Sequence, residues 1–562
     1  MNLVTKIASE LGLQEYQVAG TVQLLFEDEC TIPFVARYRK ERTGSLDEVQ
    51  IGAIRDRYQY LTNLEDTKKK YLKVVQEHCQ KNPSLQGKFP ELQAKFEACT
   101  TKNELDDLYL PFKPKRRTRA QVAKEQGLEP LLDKILSQRD SLDDLTAVAQ
   151  EFVTPDGKDI DAAKKVADVE AALKGASDIF AERVNETADY RAIVRKISHE
   201  TGELVSKVIE QKAPATGEKT KKPAKGSKKT DPSKYENYFD YREKISTIPP
   251  HRVMAVRRGE AEKVLRLSVE VDEDRIMAEL QTAINGEMPT TATIQKWIAE
   301  ATDDAYKRLL APSIETEIRL EMKSKAELEA IKVFSANLQN LLLLPPLPET
   351  TVLGIDPGLR TGSKLAVVSE TGKLLDHATV HPGLGGRDNE KTKQAMDTIS
   401  GMLGQYNVSC VAIGNGTGSK EIDQLVTRVF KEREHKGIKR AIVNEAGASV
   451  YSTDMIAREE FPDLDPTIRS AVSIARRLQD PLAELVKIDP RSIGVGQYQH
   501  DVNVTKLKNS LEEVVSSCVN KVGVNINTAS YKLLGYVSGI GPSLAKNIVT
   551  FRDKNGKFIS RG

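Results

Sequence analysis

The stretch VLGIDPGLRTG, Val352 to Gly362, ends an apolar run on Asp356 and then turns through Pro357 and Gly358. Proline presets one backbone angle and glycine accepts conformations closed to other residues, so the pair marks a tight turn directly after a strand. Two further strand-like runs follow, SKLAVVS and KLLDHATV, with Glu370-Thr-Gly372 as the turn between them. An aspartate at a strand end beside a tight turn is a common way to present a metal ligand, which makes Asp356 the first candidate site residue.

Working outward, a helix is predicted from Asp388 to Gln405, then a strand SCVAIG, a helix from about Lys420, a strand RAIVN and further helices. An antiparallel three-strand meander followed by alternating helices and strands is the order of a ribonuclease H-like α/β fold. Actin-like ATPase domains begin in the same way, so order alone does not separate the two.

Before Thr350 the chain reads as mostly helical. In TIPFVARYRKERTGSLDE, Thr31 to Glu48, Pro33 sits near a helix start and Gly44 stops that helix. Ser45-Leu-Asp-Glu48 then reads as a capping box opening the next. Leu328, Ile331, Phe334, Leu338 and Leu341 recur at three and four, predicting one amphipathic helix ended by Pro345 and Pro346. From Lys212 to Lys234 there are eight lysines, two acids and no large apolar side chain. Such a stretch cannot bury enough surface to offset its ordering entropy, and a disordered loop is expected over 212–234. At the other end, Ser538-Gly-Ile-Gly541 separates two helical stretches, and Pro542 and Ser543 open the second. That pattern predicts a helix-hairpin-helix, in which hairpin amides and the next helix N-terminus face one phosphate.

Composition narrows the function classes. With 562 residues the chain needs several cores; 39% hydrophobic and 29% charged content suit a helix-rich protein in water. Cys30, Cys79, Cys99, Cys410 and Cys518 are scattered, which disfavours a zinc module or disulfide framework and points to a reducing cytoplasm. The apolar run LLLLPPL is broken by prolines, so no membrane association is expected. Net charge is only +2, so polyanion binding must come from local patches. One is KPKRRTR, Lys113 to Arg119, containing Lys115, Arg116 and Arg117. Another is the last 62 residues, with nine Lys/Arg against four Asp/Glu. GNGTGSK after a strand fails both the Gly-x4-Gly-Lys-Ser/Thr and the GxGxxG spacings, so it is no nucleotide loop.

Taken in order, these segments resemble the bacterial Tex transcription accessory proteins. The resemblance rests on TIPFVARYRKERTGSLDE, ELDDLYLPFKPKRRTRAQVAKEQGLEPL, KYENYFDYREKISTIPPHRVMAVRRGEAEKVLRL, VLGIDPGLRTG, AIGNGTGSKE, SAVSIARRLQDPLAELVKIDPRSIGVGQYQHDV and the hairpin segment. It implies a multidomain, mostly α architecture: an elongated helical region over 1–348, a YqgF domain related to the RuvC resolvases over 349–497, and a helix-hairpin-helix domain over 498–562. It also implies nucleic-acid binding in transcription or RNA metabolism. Members continue into a second hairpin and an OB-fold RNA-binding domain, whereas this sequence stops at FISRG, so a truncated chain is expected.

RuvC-like nucleases hold two Mg²⁺ ions about 4 Å apart between several carboxylates. Asp356 fits the first strand. Where resolvases carry a glutamate at the fourth strand, this chain has Asn415. Glu445 falls where YqgF-type domains place an Asp-Glu pair, with Asn444 as its other half. Ser470 and Ala471 stand where a final Asp or His is wanted, and Glu421 and Asp480 lie off to the sides. Asp356 and Glu445 are therefore read as vestigial, with Asp356 accepting amide hydrogen bonds from the Gly358-Leu359-Arg360 turn. The expectation is a monomeric scaffold without enzymatic activity or cofactor. It binds RNA or DNA backbone through Gly539, Ile540, Gly541, Ser543, Lys546 and Arg552, with Lys115, Arg116 and Arg117 as a second patch. The alternative is a Mg²⁺- or Mn²⁺-dependent nuclease acting on structured nucleic acid. A third reading is a hub that docks on RNA polymerase or the ribosome.

Overall fold

The computed structural model describes residues 2–82, 85, 87–114, 116–155, 164–209, 231–286, 288–358, 360–382, 390–556 and 558–559. The chain forms two compact units, Asp56–Glu327 and Met1–Arg55 with Leu328–Gly562. The boundaries fall within two long helices, Glu48–Lys81 and Ala311–Leu342. The helical region drawn from sequence as 1–348 is thus shared between the units.

In the Asp56–Glu327 unit, the helix Val169–Glu186 places Ala172, Ala176, Ile179 and Phe180 in a core with Leu131, Ile135, Ile298 and Tyr306. Nearby, the buried Arg191 meets the buried Asp107 at 2.5 Å, and Arg195 bridges Asp107 at 2.6 Å and Glu317 at 2.5 Å. The unit also contains three short strands that the mostly helical reading does not anticipate: β1 (Glu203–Val208), β2 (Asp240–Lys244) and β3 (Leu265–Glu270). They form an antiparallel sheet in the order β2-β1-β3. Their charged alternation (ELVSKV, DYREK, LRLSVE) gives little strand signal without the pairing that aligns them. The lysine-rich stretch lies outside the described residues up to 230. Its last residues, which the sequence reading counts as loop, lead into the 3₁₀ helix Pro232–Tyr238, capped by Asp231.

In the other unit, the N-terminal grammar holds with two shifts. Ile32–Tyr38 is a helix with Pro33 in its first turn, but Arg39 leaves helical geometry before a second short helix, Lys40–Thr43, ends on the left-handed Gly44. The capping box of the next helix is made by Asp47 and Gln50, not by Ser45 and Glu48. The Gln50 amide donates to Asp47 Oδ1 at 2.7 Å and the Asp47 amide to Gln50 Oε1 at 3.1 Å. Further on, Ile331, Phe334, Leu338 and Leu342 are buried, whereas Leu328 is exposed, so the apolar stripe begins one step later than its spacing suggests.

The strands β4 (Val352–Asp356), β5 (Ser363–Val368), β6 (Leu374–Val380), β7 (Cys410–Gly414) and β8 (Lys439–Val443) form one sheet in the order β6-β5-β4-β7-β8. β4 pairs antiparallel with β5 and parallel with β7. This is the meander-then-parallel sheet of the ribonuclease H-like fold. Side chains alternate across it. Leu353, Ile355, Leu365 and Val367 pack with the helices Glu390–Gln405 and Ser419–Glu432. Val352, Ala366, Val368 and Ala412 pack with Ala471 and Ala475 of the helix Pro466–Gln479. At Gly354 that helix comes so close that a Cβ would press into the Ala471 carbonyl oxygen and the Ala475 side chain. The glycine of VLGID is a packing requirement.

Candidate nucleic-acid interface and the strand-end carboxylates

Asp356 belongs to the face of β4 covered by the helix Pro466–Gln479, since Val352, two steps of the pleat away, packs there. Its register partner on β5 is Lys364, on the same face as Ala366. Burial raises the Asp356 carboxyl above its ordinary pKa, and a hydrogen bond from Ser470 and the charge of Lys364 only partly offset this. Of the turn amides expected to meet Asp356, that of Gly358 instead donates to Ser363 Oγ at 3.2 Å. Leu359 lies outside the described residues. Lys364 itself is buried, and its ammonium donates to the Thr361 and Gly362 carbonyls at 2.6 and 2.8 Å.

Glu445, beyond β8, comes to the same strand end. Burial and then the negative charge of Asp356 push its carboxyl up, against an amide hydrogen bond from Gly416 and the charge of Arg477. Its Oε2 is buried and has no partner among the described residues, and a Cβ on either Gly414 or Gly416 would collide with its carboxylate. Arg477 fixes the turn, donating to the Asn444 and Ala446 carbonyls at 2.8 and 2.7 Å.

A two-metal centre does not fit these donors. The Asn415 Oδ1 accepts from the Glu445 amide at 3.1 Å and the Asn444 Oδ1 from the Ala446 amide at 2.8 Å. Asp480 accepts from the Ala483 amide as the cap of a short helix, and Glu421 is exposed in the first turn of Ser419–Glu432. Among the described residues, no three Asp, Glu, His or Cys side chains gather as a metal-binding group. Two carboxylates, with an ammonium on the same face, cannot balance two divalent ions.

The hairpin is built differently. The helix Val504–Val522 ends beside it, and Asn520 holds its turn: Oδ1 accepts from the Ser538 amide at 2.9 Å and Nδ2 donates to the Tyr536 carbonyl at 2.9 Å. Gly539 has φ of 88°, a conformation that strains residues with a Cβ. Gly541 caps the helix Pro542–Asn555 in ordinary extended geometry. Among the described residues, no protein acceptor meets the amides of Gly539, Gly541, Ser543 or Leu544. Ser543 and Lys546 are exposed on the first turns of that helix, Lys546 with its ammonium 5.4 Å from the Tyr531 ring centre. The predicted residues Gly539, Ile540, Gly541, Ser543 and Lys546 therefore share one end of the motif. Arg552 instead ties its guanidinium to the Ile526 and Ala529 carbonyls, at 3.2 and 2.8 Å. The hairpin also lines a cleft of about 800 Å³ with Phe26, Ile32 and Pro33, giving the TIPF segment a place beside it.

Of the second basic patch, Lys115 lies outside the described residues. Arg116 is exposed, and Arg117 is exposed but paired with Glu125 at 2.7 Å. Both belong to the Asp56–Glu327 unit. Sequence reasoning passes over Lys364 and Asn520. A lysine inside the otherwise apolar run SKLAVVS is a signal for the first; nothing in the helix sequence marks the second.

Family models cover most of the chain: a Tex-like protein N-terminal domain at residues 1–76, a Tex central region-like segment at 140–334, a Tex protein YqgF-like domain at 350–479 and a helix-hairpin-helix motif at 519–562. The chain is 44% identical over 572 residues to the protein tex of Bordetella pertussis, covering all of this chain and 68% of that protein. It belongs to the Tex family. The transcriptional accessory protein Tex of Neisseria gonorrhoeae is 40% identical over 565 residues, all of this chain and 69% of that one. A human relative, S1 RNA-binding domain-containing protein 1, is 34% identical over 569 residues, 99% of this chain and 54% of the human one. The Tex segments and the hairpin motif match the domain types implied by the sequence resemblance. No described helix is long and apolar enough to cross a membrane.

Proposed function

We propose that this Tex protein is a nucleic-acid-binding transcription accessory protein whose hairpin grips the phosphate backbone and whose ribonuclease H-like domain serves as a scaffold without cleaving. The observation that carries this reading is the group of amides at Gly539, Gly541, Ser543 and Leu544 that find no acceptor among the described residues, beside an exposed lysine. Amides at a helix start attract an anion, and such contacts hold a backbone without reading its sequence. The segment from Asp501 onward carries nine Lys/Arg against four Asp/Glu, which favours the same ligand. The name of the Neisseria gonorrhoeae relative, a transcriptional accessory protein, favours RNA polymerase or the ribosome as the machine served in this reading, and the scattered cysteines favour a reducing cytoplasm.

Gly541→Glu tests it cleanly. A side chain at this position meets open space and the backbone is unstrained, so the fold tolerates the change while a negative charge enters the phosphate site. Binding to labelled RNA and duplex DNA should weaken. On duplex DNA the slope of log affinity against log salt should drop by about 0.9 for each phosphate that is no longer neutralised. Unchanged binding and slope would reject the hairpin as the grip. Mn²⁺-dependent cleavage of branched DNA or RNA that disappears in Asp356→Asn would reject the non-cleaving part.

A further inference from the structure

We propose that Lys364 supplies, from within the fold, the positive charge that divalent ions bring to a ribonuclease H-like centre, and thereby keeps such ions out of this strand end. The inference rests on the non-cleaving reading above and gives it a physical cause.

Three observations lead there. Asp356 and Lys364 are register partners on adjacent antiparallel strands, so their side chains leave the sheet on the same face. The helix Pro466–Gln479 covers that face, and Lys364 is only 9% exposed. Its ammonium cannot swing away into water, because the Thr361 and Gly362 carbonyls hold it at 2.6 and 2.8 Å. A strongly hydrated ammonium is costly to bury, and here the hydrogen bonds and the nearby Asp356 carboxylate compensate it. The remaining groups complete the replacement. Ser470 donates a hydrogen bond to Asp356 where a metal-binding chain needs another ligand, and Asn415 is neutral and already engaged by the Glu445 amide. Glu445 keeps a buried oxygen with no partner among the described residues. A divalent ion arriving at Asp356 meets a fixed positive charge and too few anionic donors.

The test uses the full chain and Mn²⁺ alone. Bound Mn²⁺ is read by electron paramagnetic resonance, with circular dichroism as the check on folding. Wild type and Asn415→Asp should show no Mn²⁺ binding that depends on Asp356. The double variant Lys364→Met/Asn415→Asp should gain a site at least about ten-fold tighter, through removal of one like-charge repulsion, and Asp356→Asn should abolish that site. Lys364→Gln/Asn415→Asp repeats the comparison with a polar side chain if methionine prevents folding. If wild type or Asn415→Asp alone binds Mn²⁺ at Asp356 as tightly as the double variant, Lys364 is not the excluding group. Folded double variants with no gain would overturn the proposal equally. Wild type that binds Mn²⁺ without cleaving refutes only this inference, whereas wild type that cleaves refutes the proposed function as well.

Discussion

Replacing Asn520 by alanine removes a latch on the hairpin while leaving the motif's two helices in place. Its side chain accepts from the Ser538 amide and donates to the Tyr536 carbonyl, both at 2.9 Å, so one residue pins the chain on either side of Val537. It also donates to the Ser516 carbonyl at 2.7 Å, which fixes its own rotamer. Each neutral hydrogen bond contributes about 1 kcal/mol net, and a partly buried amide or carbonyl left unpaired adds to the loss. Loss of the two hairpin bonds should therefore weaken the turn by about 2–3 kcal/mol. The turn keeps its Ile540-to-Val537 backbone bond, and buried Leu533, Leu534 and Ala545 hold the helices together. The damage should thus be confined to the geometry of the amides at Gly539 and Gly541. Fluorescence anisotropy on a labelled duplex should show affinity falling by about ten-fold, equivalent to about 1.4 kcal/mol. The salt slope should drop by about 0.9 for each phosphate released. A purely structural role would instead lower the melting temperature and leave the slope of the folded protein unchanged. A folded Asn520→Ala with wild-type affinity and slope would refute the latch.

Other consequences can be checked by denaturation. Gly354→Ala pushes a methyl into the Ala471 carbonyl and the Ala475 side chain, so overpacking should cost about 1–3 kcal/mol in urea unfolding; a neutral result would mean the helix moves away freely. Asp356 has a raised folded pKa, so the native state holds more protons than the unfolded state once pH exceeds about 4. Its contribution is therefore lost as pH rises through the folded value, and Asp356→Asn should flatten that decline and be relatively more stable at neutral pH. Glu460 is the opposite case. Burial opposes its ionisation, but Lys487 and Arg476 hold its pKa below the ordinary range, so its stabilisation is present above about pH 4.3 and lost as pH falls through the folded value. Glu460→Gln breaks its interactions with Arg476, Lys487 and Tyr451, and at a quarter exposed its loss should be about 2–3 kcal/mol, below the ~3–5 typical of fully buried pairs.

The parts of this molecule readable from sequence are those whose physics is local. The meander after Val352 shows itself because a strand's period of two, a turn at Gly372 and the next strand all lie within a few residues. The hairpin at Gly539 is visible for the same reason: glycines, a proline and a helix start are adjacent. Boundaries suffer where two local signals compete, as when Ser45-x-x-Glu48 and Asp47-x-x-Gln50 both offer a capping box and the folded chain uses the second. The strands β1 to β3 are hidden because their pairing joins segments far apart in the chain, across the lysine-rich stretch.

The character of the strand end shows why a motif is a poor guide to chemistry. VLGID presents Asp356 at a strand end, and no inspection of those five residues tells which charges face it. What changes the site is register. The turn after Asp356 returns the chain so that residue 364 lies opposite residue 356, and in this sequence that residue is a lysine. A shift of one position in β5 would turn the lysine to the other face of the sheet. The length of that turn is therefore as much a determinant of the strand end's charge as the carboxylates are. Lys364→Met tests the point without moving a strand. The lysine charge lowers the Asp356 pKa, so removing it should raise that already elevated folded value further. The decline of stability with rising pH should then extend to higher pH than in wild type, because the native state keeps its extra proton over a wider range. Adding Asp356→Asn to the lysine variant should erase the extension. A folded Lys364→Met whose stability follows the wild-type pH profile would show that the ammonium does not set the charge of this site.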